Sequence, residues 1–170
     1  MRIGGGAVSI ADVTDRNARD LGFVRPFWLN EIRAGRAFSF ASGLDPSVGN
    51  NSHIQLINPA GSGITVILFD LWVSITVTGL LQFHTHNTEL TLISTGTNLL
   101  AGGSASVAEI RRVDNAGLLG TAVNQFLLLA DTPFNAAGKW LWELGAGEGI
   151  LVVPGATNNG NTATYRWIEV

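Results

Sequence analysis

The feature that most constrains the fold is the run of residues 64–78, which reads ITVILFDLWVSITVT. Its β-branched and apolar residues follow a period of two, the period of side chains on a β-strand. We therefore predict a strand whose odd-numbered side chains face the core. The even-numbered face is apolar up to Leu68 and mostly polar from Asp70 onward, so we expect the first half to be covered on both faces and the second half on one. At about 3.3 Å per residue such a strand would be longer than a small domain. We therefore expect a bulge near Asp70.

Short strands separated by turns are predicted for most of the chain after residue 36. Gly, Asn, Asp and Pro residues lie between the apolar segments, and no segment beyond residue 36 shows sustained helical periodicity. Many short strands without intervening helices are typical of an all-β sandwich or barrel. The sequence predicts a jelly-roll-type β-sandwich, with an immunoglobulin-like sandwich as the alternative. The other predicted strands span residues 36–42, 53–58, 80–86, 88–94, 105–113, 122–130, 139–144, 149–154 and 163–169.

Basic residues divide the chain at about residue 36. Six of the ten Lys and Arg residues lie in residues 1–36, and none lies in residues 37–108. This break predicts an extended N-terminal arm, residues 1–36, followed by the jelly-roll domain, residues 37–170. The glycines at positions 4–6 give the arm conformational freedom. We expect residues 12–22 to be extended with a turn, and a short capped helix is the alternative.

The arm contains the residues that we expect to bind a partner. Its arginines can form charge-assisted hydrogen bonds with carboxylates, and its aromatic cluster can form the apolar centre of an interface. The alternative is that this cluster packs on the arm's own domain. The candidate partner-binding residues are Arg16, Arg19, Arg25, Phe27, Trp28, Leu29 and Arg33.

Composition narrows the class of protein. Charged residues make up 14% of the chain, below the roughly 25% that is usual, so we expect part of the surface to be covered by other protein, in a homo-oligomer. A net charge of -3 lacks the basic footprint of a nucleic-acid-binding protein. Apolar runs are too short for a membrane helix, and the first residues lack the apolar core of a signal peptide, which fits synthesis in the cytoplasm. The absence of cysteine excludes disulfides and thiol chemistry.

A pair of histidines is the strongest enzyme-like signal in the sequence. His84 and His86 are two residues apart on a predicted strand, so they share a face and could reach one metal ion. With Gly79, Glu89 and Gly96 they resemble the first cupin motif. Two of the gaps, from Gly79 to His84 and from His86 to Glu89, are each one residue shorter than in that motif.

The phase of the strand argues against a metal site. Leu81 and Phe83 take the core-facing positions, which turns His84 and His86 outward. The cupin pattern also needs a downstream histidine, and the third histidine, His53, lies upstream. We therefore expect two exposed histidines and predict no metal, no cofactor and no enzymatic activity. A cupin-like metal-dependent enzyme is the least favoured alternative.

Aromatic residues near the C-terminus suggest a second kind of site. Trp140, Trp142 and Leu144 share one face of a predicted strand. Exposed aromatic residues there could form a platform for a sugar or a nucleic-acid base. We favour the alternative, in which this stripe belongs to the core or to a subunit interface.

Three segments resemble patterns in structural proteins of tailed bacteriophages. Residues 56–75 place an N-P-A-G-S-G turn between two apolar strands. Residues 142–170 contain a G-E-G turn, an apolar strand, an Asn/Thr/Gly-rich loop and a last strand closing on an aromatic residue and Glu. Residues 12–24 follow V-T-D-x-x-x-R-x-L-G-x-V.

This resemblance implies a protein of the virion with no catalytic residues to transfer. The favoured role is a capsid decoration (cement) protein that binds the major capsid protein or another virion protein and stabilises the head shell. By analogy with that class we expect a trimer. The alternative is a tail, head-fibre or baseplate accessory protein that binds host glycans through the face of Trp140 and Trp142. We expect neither nucleic acid nor membrane as a partner.

Overall fold

The computed structural model describes residues 27–136 and 142–170, except for the side chains of Phe27 and Trp28. Within these ranges the chain forms one helix, α1 (Phe27–Arg33), and twelve strands. Residues 12–22, which we expect to be extended, lie outside the described ranges. The strands are β1 (Ala37–Leu44), β2 (Asn51–Ile57), β3 (Val66–Ile75), β4 (Gly79–Thr85), β5 (Thr91–Thr95), β6 (Thr97–Asn98), β7 (Glu109–Asn115), β8 (Thr121–Leu128), β9 (Phe134–Asn135), β10 (Trp142–Leu144), β11 (Gly149–Pro154) and β12 (Asn161–Glu169).

The strands form two antiparallel sheets packed face to face. The first sheet has the order β10-β3-β12-β1-β6, and β9 also pairs with β3. The second sheet has the order β5-β7-β2-β11-β4-β8. Within this arrangement β1 pairs with β12, β2 with β11, β3 with β10, and β4 with β8. This nested pairing of eight strands across two sheets is the jelly-roll topology, so the predicted fold class is confirmed. Strands β5, β6 and β7 form an insertion that widens both sheets.

The core lies between the two sheets. Its largest fully buried side chains include Trp167 and Tyr165 from β12 and Phe83 from β4. The hydroxyl of Tyr165 donates a hydrogen bond to the carbonyl oxygen of Ile54 at 2.9 Å, which joins the first sheet to the second. Burial raises the pKa of Tyr165, so the hydroxyl stays a donor.

A bulge interrupts β3, as predicted near Asp70. Arg166 pairs with Asp70 and Trp167 pairs with Leu68, which leaves Phe69 as an extra residue in β3. Beyond the bulge the odd-numbered side chains face the core, as Leu71 does. Before it the even-numbered side chains face the core, so the predicted inward face was wrong for the first half. The bulge reverses the phase, and a sequence that is apolar on both faces does not show where that happens.

The outer face of β3 is covered only along its first half, as expected. Phe69 packs there against Ala37 and Ile168, and Ile32 of α1 packs on the same cluster. Beyond the bulge the side chain of Trp72 is 42% exposed. The helix α1 was not predicted. It lies where the predicted arm joins β1, and Gly35 follows it with a φ of 71°, a conformation that glycine adopts without strain.

A buried carboxylate fastens the insertion to the last strand. Glu169, near the end of β12, accepts hydrogen bonds from the hydroxyl of Ser106 at 2.5 Å and from the backbone N–H groups of Val107 and Ala108 at 3.0 Å. The indole N–H of Trp167 donates to the same oxygen at 3.2 Å. This arrangement satisfies the carboxylate and fixes the segment that leads into β7.

Replacement of Glu169 by Gln should therefore lower the free energy of unfolding by about 2 kcal/mol, because an amide N–H₂ would meet backbone N–H groups. Urea denaturation of the full chain measures the change. Glu143→Gln is the matched control, because Glu143 is exposed on β10, and it should change stability by less than about 0.5 kcal/mol. Equal effects of the two substitutions would contradict this account of Glu169.

Candidate functional site

Buried hydrogen bonds fix the N-P-A-G-S-G turn, residues 58–63, which is part of the first segment that resembles phage proteins. The side-chain amide of Asn58, which is fully buried, donates to the carbonyl oxygens of Ile64 at 2.8 Å and Leu144 at 3.1 Å. The N–H of Gly147 donates to the backbone oxygen of Asn58 at 2.8 Å. The N-P-A-G-S-G turn and the G-E-G turn are thus held together by one residue.

The Asn-rich loop before β12 is fixed in the same way. Asn159 accepts the N–H of Val77 at 2.9 Å and donates to its carbonyl oxygen at 2.7 Å. Asn161 accepts the hydroxyl of Ser52 at 2.9 Å and donates to the carbonyl oxygen of Val152 at 3.0 Å. Both amides are buried. These described motifs therefore set the geometry of the loops.

The expectation that His84 is exposed was wrong. Its side chain does point outward from β4, but it is only 3% exposed. Nδ1 donates to the carbonyl oxygen of Leu119 at 2.6 Å, and Nε2 meets the amide oxygen of Gln82 at 3.0 Å. Glu89 instead pairs with Arg111 at 2.8 Å. Among residues 27–136 and 142–170 no group of three His, Asp or Glu side chains could hold a metal ion.

The cover over His84 is a segment that we call the strap, residues 116–120, which links β7 to β8. His53 of β2, fully buried, accepts the N–H of Leu119 at its Nε2 at 3.2 Å, and its Nδ1 donates to the carbonyl oxygen of Asn51 at 3.1 Å. His53 and His84 thus form hydrogen bonds with the N–H and the carbonyl oxygen of the same residue, Leu119. A Cβ on Gly120 would overlap the backbone oxygen of Thr85, so the end of the strap lies directly against β4.

Residues 86–90 cover another part of the outer face of β2. Gln55 of β2, fully buried, donates to the carbonyl oxygens of His86 at 2.8 Å and Thr88 at 3.1 Å, and it accepts the N–H of Leu90 at 3.1 Å. The buried side chains of His53, Gln55 and His84 on this face therefore bind the protein's own backbone. Their hydrogen-bonding groups serve folding and are not presented to a ligand.

The structure describes two of the three residues of the predicted aromatic platform. Trp140 lies outside the described ranges. Trp142 is half-buried, and its ring centroid lies 5.5 Å from that of Phe83. Leu144 is part of the core. The core interpretation, which the sequence favoured, therefore holds for the two described members.

The candidate partner-binding residues are only partly described. Arg16, Arg19 and Arg25 lie outside the described ranges. Phe27 and Trp28 lie in the first turn of α1, and their side chains are not described. Leu29 is half-buried, and Arg33 is exposed in the last turn of the helix. The structure brings the last two together on one short helix against the first sheet.

Sequence reasoning missed an apolar surface on the second sheet, which we call the β4–β8 face: Leu80, Val123, Leu127 and Leu129. Leu80 lies directly opposite Leu127, and the two are 41% and 73% exposed. Leu129, just beyond β8, is 60% exposed. Neither β4 nor β8 contains an acidic or basic side chain apart from His84. The alternation in residues 122–130 was the available signal, but it does not show which face is left uncovered.

The comparisons with known proteins add no relative: neither a protein-family model nor a curated protein matches the chain. In the part of the chain that the structure describes, no helix has the length and apolarity to cross a bilayer.

The strap should make stability depend on pH. Burial lowers the pKa of His53 below its usual 6.5, and the nearby His84 and His86 act in the same direction, although backbone hydrogen bonds oppose the shift. The folded state therefore binds fewer protons than the unfolded state just below pH 6.5. We expect the free energy of unfolding to fall as the pH is lowered from 7 through 6.5 towards the lower pKa of the folded state.

Denaturation at pH 7.5 and at pH 5 measures this loss. His53→Gln should make the loss clearly smaller. His86→Gln is the comparison, because burial also lowers the pKa of the half-buried His86 and that variant should flatten the dependence less. An undiminished loss in His53→Gln would show that another group is responsible.

Proposed function

We propose that the protein is a structural component of a bacteriophage virion, a capsid decoration protein that self-associates and binds the head shell. The observation that carries the assembly role is the β4–β8 face, where large aliphatic side chains lie exposed on adjacent strands without nearby charge on those strands. Contiguous exposed apolar surface of this kind is typical of protein–protein contacts. The virion setting is supported by the resemblance of three segments to phage structural proteins.

The occupant that we assign to the β4–β8 face is a second copy of the chain. The face presents aliphatic side chains around the paired amides of Gln82 and Gln125, whose side chains approach to 3.5 Å. A surface without net charge can meet its own copy without like-charge repulsion, which a face with a single sign of charge cannot do. The exposed apolar face supports the homo-oligomer expected from the low charge content. We propose that this oligomer is a trimer.

The arm is proposed to reach the shell from the other side of the sandwich. Ile32 of α1 packs on the outer face of the first sheet, whereas the β4–β8 face lies on the outer face of the second. The two surfaces therefore do not compete. The major capsid protein, or another virion protein, would be bound by the arginines and aromatic residues of the arm, with Arg33 exposed at its described end.

Self-association is tested with Leu127→Asp. A carboxylate at the centre of an apolar interface is costly to bury, so this variant should be monomeric at micromolar concentration while the wild type is a trimer. Light scattering after size-exclusion chromatography measures the mass. Val48→Asp is the control, because Val48 is 96% exposed in a loop outside both sheets, and it should leave the mass unchanged. A monomeric wild type would refute self-association.

Head binding is tested with full-length protein and purified heads that lack it. The wild type should co-sediment with tail-free heads to saturation, and a chain without residues 1–26 should not. This truncation keeps α1, and it also keeps Arg36, whose carbonyl oxygen accepts the N–H of Glu169. Unchanged thermal unfolding of the truncated chain separates loss of binding from loss of folding. Failure of the wild type to bind heads, with binding to tails instead, would favour the accessory-protein alternative.

A further inference from the structure

An exposed tryptophan stands on the outer face of the first sheet, beyond the part that α1 covers. Trp72 of β3 is 42% exposed. Its indole N–H donates to Oδ2 of Asp70 at 3.1 Å, and the guanidinium of Arg166 donates to the same oxygen at 2.9 Å. The ring is thus held in place by a neighbouring ion pair, and it is presented to solvent instead of being packed into the core.

The residues opposite Trp72 on β12 and β1 have small side chains. Thr164 of β12 lies directly opposite Trp72, and Ala41 of β1 lies opposite Thr164. In the next row the hydroxyls of Ser74 and Thr162 are 2.7 Å apart. We call this surface the Trp72 shelf, and it consists of Ser39, Ala41, Gly43, Asp70, Trp72, Ser74, Thr162, Thr164 and Arg166.

The ion pair is not arranged for stability alone. Asp70 is 7% exposed, and both of its described donors share Oδ2. Oδ1 is buried and has no hydrogen-bond partner among the described residues. A buried carboxylate oxygen without a donor costs free energy, whereas a bidentate arginine would have satisfied both oxygens. What this geometry does achieve is the orientation of the exposed indole.

We propose that the Trp72 shelf binds a neutral saccharide. The face of an exposed indole ring packs against the C–H groups of a pyranose, and hydroxyl side chains beside it exchange hydrogen bonds with the sugar hydroxyls. The guanidinium of Arg166, whose side chain is 46% exposed, supplies further donors. Asp70 cancels the charge of Arg166, so charge complementarity favours a neutral sugar over an anionic one.

The surroundings of the shelf favour a sugar over a protein partner. The β4–β8 face offers clustered aliphatic side chains, which suit the centre of a protein interface. The Trp72 shelf offers one aromatic ring among hydroxyl and small side chains, which suits a ligand that is itself covered with hydroxyls. The shelf includes neither the β4–β8 face nor α1, so sugar binding and head binding can fail independently.

Native affinity electrophoresis of the full chain tests this proposal, with laminarin, galactomannan and dextran as neutral probes and alginate as an anionic probe. At least one neutral polymer should retard the wild type. Trp72→Ala should weaken that retardation at least tenfold in polymer concentration. Val48→Ala, a change at an exposed residue far from the shelf in sequence, should leave it unchanged. No retardation of the wild type by any neutral polymer, or stronger retardation by alginate, would overturn the proposal.

Two further variants guard against an effect on folding. Thr164→Arg keeps Trp72 but places a long side chain on the shelf, and it should also abolish retardation. Asp70→Asn leaves Arg166 without its counter-charge, so retardation by alginate should increase relative to the neutral polymer. A merely structural role of Asp70 would weaken binding to both polymers together. Retention of neutral-sugar binding in both Trp72→Ala and Thr164→Arg would place the sugar elsewhere and refute the assignment.

Discussion

The extra residue at Phe69 decides which side chains of β3 reach the outside of the protein. Before it, Val66 and Leu68 face the core, and an uninterrupted strand would continue by turning Asp70 and Trp72 inward. One additional residue reverses the phase, because side chains on a strand alternate strictly. Trp72 then lies on the surface, beyond Ile67 and Phe69, which already face outward and contact the cluster that includes Ile32 of α1. The exposure of the Trp72 shelf therefore depends on this bulge.

The sequence predicts the fold well because most strands carry an unambiguous alternation. The inward positions of Leu81 and Phe83 follow from it, whereas the jelly-roll class follows from the number of short strands and the bulge from the length of the apolar run. The alternation cannot predict what covers an outward side chain. His84 does point outward, but residues 35 positions away in sequence cover it, through Leu119. Periodicity assigns a face to each residue, whereas burial depends on long-range contacts that no local pattern contains.

The candidate surfaces show the same limit. The sequence suggests a sugar platform at Trp140 and Trp142, because they share a face of a predicted strand. Large residues on one face also fit the core, and Trp142 packs on Phe83. The better signal was an aromatic residue among small polar ones, as in the D-L-W-V-S segment of β3. A tryptophan on a polar face has few apolar side chains to pack against, and Trp72 remains exposed.

The strap, residues 116–120, connects the buried histidines of the second sheet to the exposed β4–β8 face. The segment held by His53 and His84 leads directly through Gly120 into β8, and Thr121 pairs with Thr85 at the start of that strand. Among the described strands β8 is the last of its sheet and has β4 as its one neighbour, and the strap fixes its first residues. Protonation of His53 at Nε2 would place an N–H against the N–H of Leu119 and remove one of the two bonds that hold the strap. The position of the first residues of β8 therefore depends on a neutral His53, which accepts the N–H of Leu119, and on His84, which donates to the carbonyl oxygen of the same residue.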